Sequence, residues 1–342
     1  MIGAHPTSPV NRSTGCQTAG VRHPGSVWTA SALAAVLSAE RAAGHVGALP
    51  APDATWPDVV EAILTHRVHV LLAPHLDALG MPEPYRGRIG AAQRRTLQRG
   101  MAEIRDTRFV SELLTDAAID HLVVKGVSLG AVVGDLPALR GGGDVDVWVP
   151  ESRAADVELL ARDHGWLRRP NAERLPEPGD SWRWRTVLRF GHELPLDHPD
   201  RATLDLHWRL AEHQDELGFN FDEAYWRSIV VPSAGPTVHT LCLDDALVHL
   251  AQHGRKEAWP TLRHLLDVVR LAGAVGPTTT RRLAHEHRNV ALALWTASHI
   301  APWLEELTEP IDRRVRALAD EAWSGCLSLE FPLLIRRAAT GR

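Results

Sequence analysis

The chain has 342 residues, of which 44% are hydrophobic and 23% are charged, and its formal net charge is −5. This is the balance of an ordinary globular protein with enough apolar residues for a sizeable core. The small negative charge gives no overall attraction to nucleic acid or anionic membranes, although one local basic groove stays compatible with it.

Targeting signals are not evident. The cysteines are few and widely spaced, which is typical of reduced thiols: Cys16, Cys242 and Cys326. No apolar run approaches the ~20 residues of a membrane span, and the N-terminal segment lacks the apolar centre of a signal peptide. We therefore expect a cytoplasmic protein. Residues 1–26 are rich in Pro, Gly, Ser and Thr and are predicted to be a disordered tail.

The predicted elements divide the rest of the chain into three regions. Residues 27–119 show helical spacing of apolar residues, with one helix predicted over 56–79 that has Pro57 near its start. Residues 120–237 mix strand and helix patterns. Residues 238–342 return to helical spacing. The sequence thus predicts an α+β fold, a small mixed β-sheet flanked by N-terminal and C-terminal helical regions.

The mixed region contains about four predicted strands. "HLVVKG" and "DVDVWV" are the first two, with the helix "VSLGAVVG" and the loop "DLPALRGGG" between them. "ESRAADVELLARDHGW" is predicted as a helix with Gly165 as its C-cap, and residues 168–181 as a loop. "WRWRTVLRFG" and "ATLDLHWRL" are the remaining two strands.

The stretch "GGGDVDVWV" places two acids on one face of a strand. Because side chains alternate along a strand, Asp144 and Asp146 share a face with Cα atoms roughly 6.5 Å apart, while the valines between them face the core. Such a pair is either a solvent-facing edge or a site for Mg²⁺, which prefers carboxylate oxygens and substrate phosphates. "TLDLHW" repeats the pattern with Asp205, and a third carboxylate is what a two-metal site needs.

Other residues around the acids are suited to binding phosphate. Lys125 and Gly126 end a strand, and the N–H groups of the helix that follows favour an anion, to which Ser128 would add a hydroxyl. The alternative is an exposed strand end and a simple turn. Trp148 shares the aspartate face.

A helix predicted after residue 243 carries a second polar cluster. His249 and His253 have the i, i+4 spacing of a zinc pair, but no third ligand with suitable spacing follows them. A helix-end cluster of His253, Arg255 and Lys256 that faces a bound phosphate group is the preferred interpretation, and capping with surface polarity around a packed helix is the alternative.

The elements K-G, R-x-x-x-D-x-D and D-L-H-W together resemble the polymerase-beta-like nucleotidyltransferase superfamily. They are most similar to its bacterial "nucleotidyltransferase family protein" branch, some members of which occur in peptide natural-product clusters. The superfamily's usual G-S pair is replaced here by Gly126-Val127-Ser128.

The resemblance implies roles for individual residues. Asp144 and Asp146 would bind both metals, Mg²⁺ or Mn²⁺, and Asp205 would bind the catalytic metal and act as general base. Lys125 and Arg140 would neutralise the charge of the triphosphate. Arginine is suited to this role because its guanidinium can make a bidentate contact with phosphate. With Gly126, Ser128, His253 and Lys256 they form the predicted nucleotide-binding set, and Trp148 is predicted to flank the nucleotide base.

The expected function is transfer of a nucleoside monophosphate from an NTP, with ATP as one candidate, to a hydroxyl-type acceptor, releasing pyrophosphate. A peptide or small-molecule acceptor is favoured over RNA. The alternatives are a binding module without chemistry, a tRNA-modifying toxin-type transferase, and a Mg²⁺-dependent hydrolase or kinase. The sequence contains neither a G-x-x-x-x-G-K-[ST] loop nor the kinase motifs, which argues against the hydrolase or kinase.

Overall fold

The structure is a computed structural model that describes residues 23–134, 137–140, 142–170, 172–179, 181–212, 216–232, 234–235, 237–308 and 311–328. The predicted disordered tail lies outside the described residues as far as residue 22. The first helix begins at Pro24, so the predicted tail extends too far along the chain.

Four helices form the N-terminal region: α1 (Pro24–Arg41), α2 (Trp56–Thr65), α3 (His69–Leu72) and α4 (Glu83–Asp116). A capping box begins α2, because the side chains of Thr55 and Asp58 each accept the other's backbone N–H. The single helix predicted over 56–79 is wrong. Arg67 adopts a φ of 56°, which a right-handed helix does not contain, and the chain turns there.

Five strands form the central sheet: β1 (Leu122–Val124), β2 (Asp144–Trp148), β3 (Leu167–Arg168), β4 (Glu193–Asp197) and β5 (Thr203–His207). Their order is β1-β2-β5-β4-β3. Strands β2 and β5 pair in parallel, and the other neighbours pair antiparallel. This mixed sheet with helical flanks confirms the α+β fold. Three of the four predicted strands are present as β1, β2 and β5, whereas β3 and β4 were not predicted.

The helices between the strands are α5 (Gly126–Val132), α6 (Pro137–Arg140), α7 (Ala154–Asp163) and α8 (Trp182–Phe190). The strand predicted over "WRWRTVLRFG" is wrong, since this segment is α8. Ser181 caps the helix by accepting the N–H of Trp184. Trp184 and Leu188, four residues apart, are buried on one face. Residues four apart share a face of a helix, so their burial stabilises the helix.

The C-terminal region starts with α9 (Phe221–Trp226) and a hairpin of β6 (Ile229–Val230) and β7 (His239–Thr240). The helices that follow are α10 (Leu243–Glu257), α11 (Leu262–Val275), α12 (Pro277–Glu286), α13 (Arg288–Ser298) and α14 (Arg313–Ser328). Ala258 and Trp259 have φ of 52° and 49°, so a sharp corner separates α10 from α11.

Two hydrophobic clusters lie on opposite faces of the sheet. Val145 and Val147 belong to one cluster, which includes side chains of α7 and α8. Trp148 belongs to the other, which joins side chains of α1 and α2 to those of α10, α11 and α13. Asp144 and Asp146 alternate with the valines and so lie on the sheet face that the helical regions cover. Among the described residues, no helix is both long enough and apolar enough to span a membrane.

Candidate active site

Three aspartates meet at the centre of the sheet. Asp144 and Asp146 lie on β2, and Asp205 lies on the parallel neighbour β5, directly opposite Asp146 in the strand register. Neighbouring strands are about 4.8 Å apart, so the three carboxylates occupy one small area of one sheet face. The two segments predicted as strands from their alternating side chains, "DVDVWV" and "ATLDLHWRL", are strands β2 and β5. We call these residues the carboxylate trio.

Asp146 is the buried member of the trio and has two basic partners. Its Oδ1 accepts a hydrogen bond from Lys125 Nζ at 3.1 Å and lies 3.0 Å from His207 Nε2. His207 is itself flanked by Glu193 of β4, whose Oε2 lies 3.4 Å from His207 Nδ1. Burial alone would raise the pKa of Asp146, but Lys125 and His207 hold that pKa well below its usual range. Asp146 is therefore a fixed negative charge.

The other two aspartates lack such compensation. Burial, followed by repulsion from Asp146, raises the pKa of Asp205 to about 6. The same two causes raise the pKa of Asp144. Asp205 Oδ1 is buried and has no hydrogen-bond partner among the described residues. The trio thus concentrates negative charge in a partly buried place, which is unfavourable unless something positive binds there.

Lys125 reaches the trio through an unusual backbone. Its φ is 59° and that of Gly126 is 45°, both in the left-handed region that a glycine occupies at little cost. A Cβ at Gly126 would lie 2.6 Å from Oε1 of Glu103, so this position has no room for a side chain. Burial opposes the charged form of Lys125, but Asp146 outweighs it and raises the lysine's pKa.

Glu103 of α4 connects the two segments that carry the site. Its Oε1 accepts the N–H of Val127 at 3.2 Å, and its Oε2 accepts the N–H of Gly143 at 2.8 Å. One buried carboxylate therefore fixes both the start of α5 and the start of β2. Burial raises the pKa of Glu103 to about 7; the Gly143 N–H opposes this rise, and Asp144 adds to it.

The side chains of Ser128 and Trp148 contact other parts of the protein and not the position predicted for the nucleotide. The hydroxyl of Ser128 is fully buried and donates to the carbonyls of Lys125, at 2.7 Å, and Val123, at 3.1 Å. Ser128 thus stabilises the turn before α5 instead of facing a ligand. Trp148 is 1% exposed and packs against Phe221. The prediction that Trp148 flanks a nucleotide base is wrong, because hydrophobic burial encloses its ring completely.

Arg140 is held in a buried ion pair. Its guanidinium binds the carboxylate of Asp267 on α11, and its carbonyl accepts a hydrogen bond from Arg263. Burial and the positive charge of Arg140 lower the pKa of Arg263 to about 10. The charge of exposed Arg67 acts on both Asp144 and Arg263. The charge of Arg67 thus acts on the trio, whereas Arg140 and Arg263 lie next to each other at Asp267.

The polar residues predicted to form one cluster on α10 have different surroundings. His249 is buried, and neither ring nitrogen has a hydrogen-bond partner among the described residues. Lys256 is exposed, with Nζ 3.2 Å from His192 Nε2. His253 lies beside Glu257 and His264. The group of potential metal ligands therefore contains His253 but not His249, so it differs from the pair that the sequence spacing indicated.

The comparison with known families agrees with this geometry. A family model described as "Uncharacterised nucleotidyltransferase" matches residues 52–302. The chain belongs to this nucleotidyltransferase family. The match includes α2 to α13, and thus the trio, Lys125 and Glu103. The nucleotidyltransferase family predicted from K-G, R-x-x-x-D-x-D and D-L-H-W is confirmed, and with it a transferase that acts on a nucleotide substrate. No curated protein matches the chain.

Sequence reasoning missed several members of the site. His207 stood beside Asp205 in "TLDLHW", and its strand parity was the available signal. Glu103 and Arg67 carried no such signal, because Glu103 lies in the long helix α4, where charged residues are usually solvated, and Arg67 lies in the turn after α2. Only tertiary packing brings them to the trio.

Proposed function

We propose that the chain transfers a nucleoside monophosphate from an NTP to a hydroxyl-type acceptor, with release of pyrophosphate, and that divalent cations are required. The observation that carries this proposal is the convergence of Asp144, Asp146 and Asp205 on adjacent parallel strands, with one Asp205 oxygen left without a donor among the described residues. Membership of the nucleotidyltransferase family supports the reaction class.

The donor set of the trio fits Mg²⁺ or Mn²⁺. All of its ligand atoms are carboxylate oxygens, which these hard cations prefer, and their mutual repulsion favours binding of positive charge. Asp144, Asp146 and Asp205 would hold the cations. When bound, such ions neutralise developing charge on the transferred phosphoryl group and on the oxygens at either side of it.

In the proposed reaction Asp205 accepts the proton of the acceptor hydroxyl. The acceptor oxygen forms a bond to the α-phosphorus, and the bond from that phosphorus to the oxygen bridging to the β-phosphate breaks. Burial and Asp146 make the Asp205 carboxylate more basic than an ordinary aspartate before a cation binds, and a carboxylate next to the acceptor hydroxyl can take its proton. His207 keeps Asp146 in place by its contact with Oδ1.

Cationic groups would receive the triphosphate. Lys125 is already at the trio, and exposed Arg67 adds a second positive charge close to Asp144. Arg140 would contribute through the arginine cluster it forms with Arg263, while its own guanidinium stays on Asp267. Gly126 would support nucleotide binding through its left-handed backbone, which follows Lys125 at the start of α5. A peptide or small-molecule acceptor is proposed in preference to RNA, because the overall charge of −5 gives no general attraction to a polyanion.

The test is label transfer from two forms of each NTP, one labelled at the α-phosphate and one at the γ-phosphate. Purified protein, total RNA, peptides and a desalted small-molecule extract of cells serve as acceptors, with Mg²⁺ or Mn²⁺ present. We expect transfer of the α label only, and none with Asp144→Asn. Asp163→Asn, a change at an exposed aspartate on α7, is the matched control and should keep full transfer.

Each alternative has its own outcome. Transfer of the γ label would indicate a kinase, and release of free phosphate would indicate a hydrolase. Label on the 3′ end of tRNA would favour the toxin-type transferase over a peptide or small-molecule acceptor. NTP binding with no transfer to any acceptor fraction would favour a binding module. Absence of both binding and transfer in the folded protein would refute the proposed function.

A further inference from the structure

The corner between α10 and α11 brings together three side chains of metal-ligand type. His253 and Glu257 lie one turn apart at the end of α10, and His264 lies in the first turn of α11. His253 Nε2 is 3.5 Å from Glu257 Oε1, and His264 Nε2 is 3.7 Å from Glu257 Oε2. One ligand atom from each residue lies within 4.8 Å of the other two.

These separations match the edges of a tetrahedral metal site better than they match hydrogen bonds. Zinc lies about 2.0–2.2 Å from imidazole nitrogen and carboxylate oxygen, so tetrahedral ligands are about 3.4 Å apart. A strong hydrogen bond from an imidazole N–H to a carboxylate would be about 2.7–3.2 Å long. The spacing of the three side chains is therefore compatible with a metal ion bound between them.

The ring of His264 is oriented for coordination. The hydroxyl of Thr261 lies 2.8 Å from His264 Nδ1, which leaves Nε2 facing Glu257. Metal-binding histidines usually have such a partner on the second nitrogen, because it fixes the tautomer and the ring orientation.

The backbone of the corner is held firmly. Ala258 and Trp259 both have positive φ, and the Trp259 ring is buried so close to Gly254 that a Cβ there would lie 2.2 Å from its Nε1. Packing therefore fixes the relative placement of the two helices. Glu257 is exposed, which leaves a path for an ion to enter.

We propose that His253, Glu257 and His264 bind a zinc ion at a site separate from the carboxylate trio. Two imidazoles and one carboxylate suit Zn²⁺, whereas the all-oxygen trio suits Mg²⁺. Three protein ligands leave the fourth position for water or for an oxygen of the substrate. The charges of Lys125 and Asp146 act on both His253 and Glu257, so the zinc site adjoins the trio.

The test measures zinc affinity of the full chain, without a histidine tag, by competition with a chromophoric chelator. We expect one zinc per chain, undisturbed by millimolar Mg²⁺. His264→Ala and Glu257→Gln should each weaken binding at least ~100-fold, and Thr261→Val, which removes the orienting hydroxyl, about 10- to 100-fold. Two control variants should bind zinc as the wild type does: His285→Ala, at an exposed histidine of α12, and Asp144→Asn in the trio.

A second readout on the wild type keeps the proposal testable should a ligand variant fail to fold. Co²⁺ in place of zinc should give the intense visible absorption of a tetrahedral centre, and zinc should raise the unfolding temperature. The proposal is overturned if the wild type binds no zinc, if Mg²⁺ displaces the ion, or if Asp144→Asn removes it while His264→Ala does not. None of these results depends on nucleotidyl transfer.

Discussion

Asp205→Asn should make the protein more stable and inactive at the same time. The folded protein raises the pKa of Asp205 from 3.8 to about 6, because burial and Asp146 disfavour its ionised form. A shift of about 2 units corresponds to about 3 kcal/mol at neutral pH. Asp205 is partly exposed, so solvent screening reduces this figure, and we expect the uncharged variant to gain about 1–2 kcal/mol.

The gain should depend on pH in a defined direction. Between its unfolded and folded pKa values Asp205 binds more protons in the folded state, so the wild type loses stability as pH rises from about 4 to about 6. The variant lacks this loss. The two proteins should therefore be equally stable near pH 4 and differ fully above about pH 7.

Urea denaturation followed by circular dichroism at both pH values measures the effect, with chelator present. Asp163→Asn, the exposed control, should match the wild type throughout. Adding Mg²⁺ should stabilise the wild type and have a much smaller effect on Asp205→Asn. A variant less stable than the wild type at neutral pH, or a gain that does not change with pH, would refute the electrostatic reasoning.

Other variants test the remaining parts of the site. Asp144→Asn should reduce transfer at least ~100-fold with the unfolding temperature lowered by no more than about 2 °C, since it removes a repelled charge; steady-state rates and calorimetry measure both. Lys125→Ala should raise the NTP dissociation constant about 10-fold or more, and an unchanged constant would exclude Lys125 from nucleotide binding. Glu103→Gln keeps one acceptor oxygen for two N–H groups and should cost about 1–3 kcal/mol in urea denaturation; full stability would show that the bridge is dispensable. Gly126→Ala should destabilise more than Gly134→Ala, because both have positive φ but only the first would meet a neighbour; equal losses would contradict this.

The strand-borne part of the site was readable from sequence because the strand period is short and strict. Asp144 and Asp146 alternate with valines, and Asp205 alternates with leucines, so the face of each acid followed directly. The sequence did not show that the strand with Asp144 and Asp146 pairs with the strand that carries Asp205. The β2–β5 pairing joins segments about 60 residues apart, and the shared area of the trio depends on that pairing alone.

The sequence pattern did not predict the roles of residues whose contacts lie far away in the chain. Arg140 precedes "GGGDVD" and was predicted to be free for phosphate, but Asp267 on α11 pairs with it. Glu103 lies in the long α4 helix, where a glutamate is usually solvated. The segment of α8 is rich in Trp, Val and Phe, which favours a strand, and the Ser181 cap with burial of one face decided otherwise.

Binding of Mn²⁺ tests the central claim most directly, since the claim is that the trio holds divalent cations beside a nucleotide. The electron paramagnetic resonance signal of free Mn²⁺ is followed as protein is added with an NTP analogue that cannot transfer its α-phosphate. We predict stoichiometric loss of the free signal with the wild type and with Asp163→Asn, and little loss with Asp144→Asn or Asp205→Asn beyond that caused by the analogue alone. Equal loss with all four proteins would contradict the assignment of the trio as the metal centre.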